Sequence, residues 1–294
     1  DLVGVERIIT PWIGGLHALG PMLRANLGNQ IAALMLYSGA PERTRQFYQR
    51  GLPAEVTGLT YIAGWADWQV GISYLWEGQA ASAEKSLRAS LERAEYSSGR
   101  RTPVTVMLAS ALATALWDLD RLEEANVILA NRLDILERHA CAEAIIMGIV
   151  TAARLAAAGG LERRAYDLLD NLCSLGEARA LPRLCVASLG EQIRMHALRG
   201  RVEACIPLVA RLAALQLEAA RLNWGDMAAL LDIQLGLAQA YAAAAGKDWP
   251  QVIAVLDSPG RLADERKRGR DALQIRLLRA LARKRCGDDG GTLL

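Results

Sequence analysis

Six tight turns, centred on Gly39, Gly78, Asp120, Gly160, Gly200 and Gly246, divide the chain at intervals of about 40 residues. Around each turn the same pattern recurs. A helical run ends in an apolar or aromatic residue, the chain reverses at Gly or Asp, and a small residue is followed four positions later by a larger one. The copies read Leu36-Tyr37-Ser38-Gly39; Tyr74-Leu75-Trp76-Glu77-Gly78 with Ala83 and Leu87; and Trp117-Asp118-Leu119-Asp120 with Ala125 and Leu129. They continue as Ala157-Ala158-Gly159-Gly160 with Ala165 and Leu169, Ala197-Leu198-Arg199-Gly200 with Cys205 and Val209, and a looser copy ending at Gly246 with Val252 and Leu256. A turn glycine can take positive φ and end the first helix abruptly. The small residue then lets two helices of a pair approach, and the larger one fills the gap to the next pair. A single pair cannot cover both of its apolar faces, so pairs must stack.

Composition agrees with a chain made of helices. Apolar residues make up 52% of it and aromatics only 5%, with a single Phe. Ala and Leu supply the excess, and both enter helices at little cost, whereas strand-favouring residues are sparse. Pro53, Pro103, Pro182 and Pro207 stand at or near expected helix starts, where a missing N–H does least harm, although Pro207 falls inside the first turns of its helix. The spacing predicts a capping segment over 1–22, rich in Gly and Pro, and one repeat domain of about six helix pairs over 23–285. Segments 96–102 and 176–182 read as loops between pairs, and the Gly- and Asp-rich tail 286–294 as disordered.

A formal charge of +2 points to neither nucleic acid nor membrane as a default partner. The stretch from Arg261 to Arg285 is locally basic, and it reads either as a solvated helix face or as an electrostatic contact. Cys141, Cys173, Cys185, Cys205 and Cys286 form no C-x-x-C pair and have no His at ligand spacing. Buried free thiols in a reducing cytoplasm are expected, with no metal and no cofactor. Two long uncharged runs, Ile8–Leu23 and Thr102–Trp117, are each shorter than the roughly 18 residues of a membrane span. The opening Asp1-Leu2-Val3-Gly4 has no basic signal-peptide region and no initiator Met, which reads as a piece of a longer chain or a processed form.

The spacing Gly71-x-x-Tyr74-x-x-x-Gly78-x-x-x-x-Ala83-x-x-x-Leu87 resembles the tetratricopeptide (TPR) family, with a longer period than that family's 34 residues. Leu23-Arg24, Leu122-Glu123-Glu124-Ala125 and the run Gly190-Glu191-Gln192-Ile193-Arg194 through Leu198-Arg199-Gly200-Arg201-Val202-Glu203-Ala204 are similar to the helical repeats of a narrower group. That group is the large ATP-dependent bacterial transcription regulators related to the maltose regulon activator MalT, which carry LuxR-type DNA-binding ends. The resemblance covers roughly residues 20–260. It implies an all-α, right-handed superhelix of TPR-like antiparallel pairs that binds a small-molecule inducer or a regulatory protein. Its companions would be the nucleotide-binding and DNA-binding domains of the full-length regulator. The sequence has no G-x-x-x-x-G-K-[S/T] phosphate loop and no LuxR-type helix-turn-helix, so the resemblance extends to the sensor portion alone, without direct DNA contact. A TPR-like scaffold for protein partners, with no small-molecule role, is the alternative.

Catalytic patterns are weak. There is no G-x-S-x-G elbow and no H-E-x-x-H, and His17, His139 and His196 lie in different repeats. An enzyme is not expected. His196 reads as a packed or capping residue, and Asp232, a lone acid in the apolar run 227–245, as a buried carboxylate needing a partner. The aromatic distribution is more informative. Tyr61, Trp65, Trp68, Ile72 and Trp76 recur at helical spacing on one stripe. In TPR-like stacks the first helix of each pair lines the inner surface. Residues matching that stripe are Asn26, Asn29 and Tyr37 in the first pair and Trp65, Trp68 and Trp76 in the second. Ser110 and Trp117, then Arg154, then Arg194 continue it. Aromatic faces with Arg and Asn between them make a recognition groove for a ligand or partner. The same tryptophans could instead be core. The stripe lacks the Lys- and Asn-rich pattern that clamps peptide carboxylates in co-chaperone TPR domains.

Overall fold

The computed structural model describes residue 7 and residues 10–49, 60–221 and 226–287. These are all-α, with helices in consecutive packed pairs resembling TPR-like repeats. Contacts divide the chain into two compact units, Asp1–Ala165 and Tyr166–Leu294.

In the first unit a 3-10 helix, Thr10–Ala18, precedes α1 (Pro21–Tyr37) and α2 (Pro41–Gln49). Next come α3 (Thr60–Trp76) and α4 (Ala80–Ser98), then α5 (Pro103–Asp118) with α6 (Leu122–Leu129) and α7 (Leu133–His139), and α8 (Ala142–Ala158). The second unit holds all but the first turn of α9 (Glu162–Ala178), then α10 (Pro182–Ala197), α11 (Val202–Arg221) and α12 (Asp226–Ala245). It ends in α13 (Trp249–Val255), α14 (Asp257–Glu265) and α15 (Gly269–Arg285). The same layering recurs in both units. First helices pack on one another, α1 on α3, α3 on α5, α5 on α8, and α10 on α12. Second helices pack on their own first helix and on the next first helix, as α2 does on α1 and α3, α4 on α3 and α5, and α11 on α10 and α12.

The turns set this register. Gly39, Gly78, Asp120, Gly160 and Gly200 all have positive φ. In each case the next residue's N–H reaches back to the carbonyl four residues before the turn residue, as Gln79 does to Tyr74 at 2.9 Å and Arg121 to Leu116 at 2.9 Å. That bond closes the first helix in a Schellman motif. The same donor residue's carbonyl then accepts the first bond of the second helix, Ala83 N–H to Gln79 at 3.0 Å. One residue thus ends one helix and begins the next, which fixes the offset of all that follows. Five residues beyond the turn stand Thr44, Ala83, Ala125, Ala165 and Cys205, all fully buried. Seven residues before it stand Ala32, Gly71, Ala113, Ala153 and Ile193, also buried. The two positions face each other: Thr44 Oγ1 donates to the Ala32 carbonyl at 3.1 Å and Cys205 Sγ to that of Ile193 at 3.8 Å. Leu87, Leu129 and Leu169, nine beyond the turn, complete the packing.

Two turns depart from expectation. At the sixth expected turn the positive φ falls on Lys247, not Gly246, and Asp248 in the next position caps α13 by accepting from the Gln251 N–H at 3.2 Å. A seventh turn, at Lys267, repeats the arrangement before α15, with the Arg268 N–H reaching Ala263 at 2.8 Å and Ala272 buried five residues on. The expected loops are also shorter than predicted: α4 runs to Ser98 before Gly99 turns, and α9 to Ala178 before Ala180 turns. Two second helices are broken, one between α6 and α7, where Asn131 takes φ 59°, and one at Leu256. Pro103 and Pro182 begin α5 and α10, while Pro207 lies inside α11. Pro53 and the tail beyond Gly287 lie outside the described residues.

Helices in the middle of each unit are covered on both sides. Residues 104–116 of α5 are all buried, enclosed by α3, α4, α6, α7 and α8. On α12, Leu231, Leu235 and Ala238 join a core with α10 and α11, while Ile233, Leu237 and Ala240 join another with α13, α14 and α15. Polar contacts tie pairs together at their edges. Arg45 of α2 donates to Ser73 Oγ at 3.0 Å and lies over the Tyr74 ring, both on α3, and pairs at 2.7 Å with Glu77 just beyond its end. The basic stretch near the end is partly balanced locally, since Arg268 pairs with Asp271 at 2.9 Å and Arg279 with Asp257 at 3.5 Å. Asp232 is exposed, not buried as expected, and accepts from Gln216 Nε2 at 2.6 Å. It sits between the two apolar faces of its helix. No described helix is long and apolar enough to cross a membrane.

Candidate functional site: an aromatic ladder on the second pair

The stripe picked out by its spacing divides between core and surface. Trp68 and Trp76 of α3 are 3% and 8% exposed, so both are core. Tyr61, one turn before Trp65 on the same helix, is 49% exposed, and Trp65 is half-buried. The rings touch edge to face in sequence: Tyr61 to Trp65 at 6.4 Å between centroids, and Trp65 to Trp68 at 5.5 Å. Edge-to-face contact suits the aromatic quadrupole. The result is a ladder that starts in the core at Trp68 and emerges at Tyr61. Tyr37, half-buried at the end of α1, meets Trp76 edge-on at 5.4 Å and links the first two pairs.

The other predicted groove residues are distributed differently. Asn29 is buried and belongs to a polar network joining α1, α2 and α3. Its Nδ2 donates to the Ile62 carbonyl at 3.0 Å, its Oδ1 accepts from Tyr48 at 2.8 Å, and its own carbonyl accepts from Gln69 Nε2 at 3.0 Å. Burial pushes the Tyr48 hydroxyl well above the usual tyrosine range, and the negative charge of Asp67 adds to the rise. Ser110 is fully buried in α5 and donates to the Met107 carbonyl at 2.8 Å, so its hydroxyl is internal to the helix. Asn26 is exposed and donates to Met22, while Trp117 and Arg154 are half-buried. Arg194, in the second unit, pairs with buried Glu191 at 2.6 Å. The structure therefore brings together Tyr61, Trp65 and Trp68, and separately Tyr37 and Trp76. Asn29 and Ser110 are packed inside.

Two features had no clear mark in the sequence. One is a cavity of about 530 Å³ between α6, α7 and α8, where the second helix of the third pair breaks. Leu122, Leu129, Leu133 and Leu155 line it, together with Arg132, Arg164, Glu123 and Asp134. The break leaves a gap that one straight helix would fill, and only the positive φ of Asn131 could have announced it. The other is a group of thiols. All five cysteines are free, as expected; Cys173, Cys185 and Cys205 are buried, whereas Cys141 is half-buried and Cys286 exposed. Burial pushes the Cys185 thiol up to about 12, with the neighbouring Cys173 adding to the shift, and burial alone raises Cys205. His196 stacks on Tyr166 with ring centroids 4.7 Å apart, a packed histidine.

No known protein-family model matches the sequence. No curated protein matches it either. Among solved structures, a Podosopora anserina kinesin light chain with nearly identical TPR-like repeats is similar, with a TM-score of 0.46 at 19% identity, covering 69% of this chain and 95% of that one.

Proposed function

We propose that this chain is a partner-binding scaffold of TPR-like helix pairs, recognising a protein through the emerging end of the aromatic ladder on α3. The carrying observation is that Tyr61 and Trp65 rise out of a core anchored by Trp68. A large ring held by a buried neighbour loses little entropy on binding, which is why Tyr and Trp anchor interfaces. The test is affinity purification of a stoichiometric partner with wild-type chain and with Tyr61→Ala and Trp65→Ala. Loss of the partner at unchanged melting temperature supports the proposal; retention by both variants overturns it.

A finer reading is that these repeats are the effector-sensing portion of a cytoplasmic MalT-type regulator. It is supported by the residues that resemble those repeats, Leu122-Glu123-Glu124-Ala125 and the run from Gly190 to Ala204. The cavity between α6, α7 and α8 favours a small-molecule effector, being lined by leucines together with charged groups of both signs, Arg132, Arg164, Glu123 and Asp134, and large enough for a modest ligand. A ligand held there would favour one packing of neighbouring pairs and shift the population of an attached nucleotide-binding module. A candidate inducer should raise the melting temperature, and Leu155→Trp, which fills the cavity, should abolish that rise. A genomic reading frame lacking an upstream phosphate loop and a downstream helix-turn-helix would count against this reading while leaving the scaffold intact.

A further inference from the structure

Cys173 on α9 and Cys185 on α10 stand seven residues before and five after Ala180, which turns with φ 52°. These are the positions at which Ala32 meets Thr44 and Ile193 meets Cys205. The contact is the same as well: Cys185 Sγ donates to the Cys173 carbonyl at 3.0 Å. The repeat register therefore sets one sulfur against the other. Glu177, one helical turn after Cys173, brings a carboxylate to the same place, and the three ligand atoms lie within 4.8 Å of one another. Gly176 leaves the room they need, since a Cβ there would stand 3.1 Å from Cys185 Sγ. From α11, Arg211 donates to Cys173 Sγ at 3.2 Å and to the Glu177 carboxylate.

We propose that Cys173, Cys185 and Glu177 form a binding site for a thiophilic divalent cation of the zinc type, clasping α9 to α10. Zinc takes sulfur and carboxylate ligands in a tetrahedron, and Zn–S bonds of about 2.3 Å place two sulfurs ~3.8 Å apart. The three groups need close by no more than about 1 Å to reach that spacing. Glu177, whose side chain is 62% exposed, supplies both the movement and the route in from solvent. A water completes the coordination. Each thiol releases its proton to solvent as its sulfur binds the metal. Two thiolates and one carboxylate carry three negative charges, the cation two positive and Arg211 one, so the site closes neutral. Arg211 is then the outer partner that holds Cys173 and Glu177 in orientation.

The experiment uses the full chain, reduced and stripped with chelator, titrated with Co(II) and then Zn(II). The expected result is one equivalent of Co(II) bound with an intense near-ultraviolet sulfur-to-metal band, displaced by Zn(II), and a higher melting temperature with Zn(II). Cys173→Ser and Cys185→Ser should abolish the band, while Cys141→Ser and Cys286→Ser keep it. Glu177→Gln, a change at an exposed side chain that leaves folding intact, should weaken Co(II) binding tenfold or more. No sulfur band in fully reduced protein, or a band that survives loss of both cysteines, overturns the proposal. So does a Cys173–Cys185 disulfide forming in air from protein that takes up no metal.

Discussion

Leu87 fills the place where Gly71 has no side chain: a Cβ built on Gly71 would lie 2.2 Å from Leu87 Cδ2 and 2.4 Å from Cγ. Leu87, on α4, is fully buried, so it has nowhere to go. Replacing Gly71 by Ala would gain helix propensity of about 1 kcal/mol. Overpacking a closed core costs about 1–3 kcal/mol. Since the clash involves the branch carbon as well as a methyl, the second effect wins. Gly71→Ala should destabilise the protein by up to about 2 kcal/mol, read as a lower urea midpoint at constant slope. Leu87→Ala should cost less in that background than in the wild type, because the two changes relieve one clash.

The turn residues give a prediction of opposite sign at two sites. Lys247 holds φ 61° and Gly78 φ 80°. An L-residue in the left-handed region is disfavoured by roughly 1–2 kcal/mol, and glycine's greater freedom in the unfolded chain offsets about half of that. Lys247→Gly should therefore stabilise by about 0.5–1 kcal/mol and Gly78→Ala destabilise by a similar amount. Paired thermal melts would decide it. A loss of stability in Lys247→Gly would mean that the lysine side chain contributes more than its backbone costs.

How much of this could be read from the residues follows from what the turns control. Glycines at 39, 78, 160 and 200 mark positive φ directly, so the pairs and the small positions after them were legible. Lys247 and Lys267 carry no such mark, and the sixth turn was misplaced by one residue while the seventh was missed. The contact of Cys173 with Cys185 was hidden for the same reason, because Ala180 does not look like a turn residue. Periodicity placed Tyr61, Trp65, Trp68 and Trp76 on α3 but could not say which face of that helix its neighbours cover. Trp68 and Trp76 fall against neighbouring helices, and Tyr61 does not. The division at Ala165 left no trace, since it falls within the first turn of a continuous helix.

Arg132 offers a test of buried charge. It is 2% exposed, its Nη2 pairs with Glu95, and its Nε and Nη1 have no partner. Burial lowers its pKa while Glu95 opposes the fall, so the carboxylate compensates a charge that the surroundings disfavour. Removing only the acid leaves that charge uncompensated. Glu95→Gln should cost about 3 kcal/mol, near the lower end for a broken buried pair because Glu95 itself is partly exposed. Adding Arg132→Met should recover most of the loss, since an apolar side chain of similar length needs no partner. Equal stability of the single and double variants would show that water already reaches the guanidinium.

The Tyr48 hydroxyl makes stability fall at high pH. Its folded pKa lies above the ordinary tyrosine value, because burial and then Asp67 disfavour the phenolate. Below pH about 10 both folded and unfolded chains keep the proton, and this group adds no pH dependence. Above it the unfolded chain ionises while the folded one does not, so the folded state binds more protons and stability declines with pH. Each further unit should cost about 1.4 kcal/mol until the folded group titrates too. Tyr48→Phe removes this slope but also the bond to Asn29 Oδ1, and leaves that buried acceptor without its 2.8 Å donor. The variant should therefore be less stable than wild type at pH 7 by about 1–3 kcal/mol, yet show a flatter decline between pH 9 and 11. Urea midpoints across that range check both halves. An identical decline in the two proteins would assign the alkaline loss to other groups.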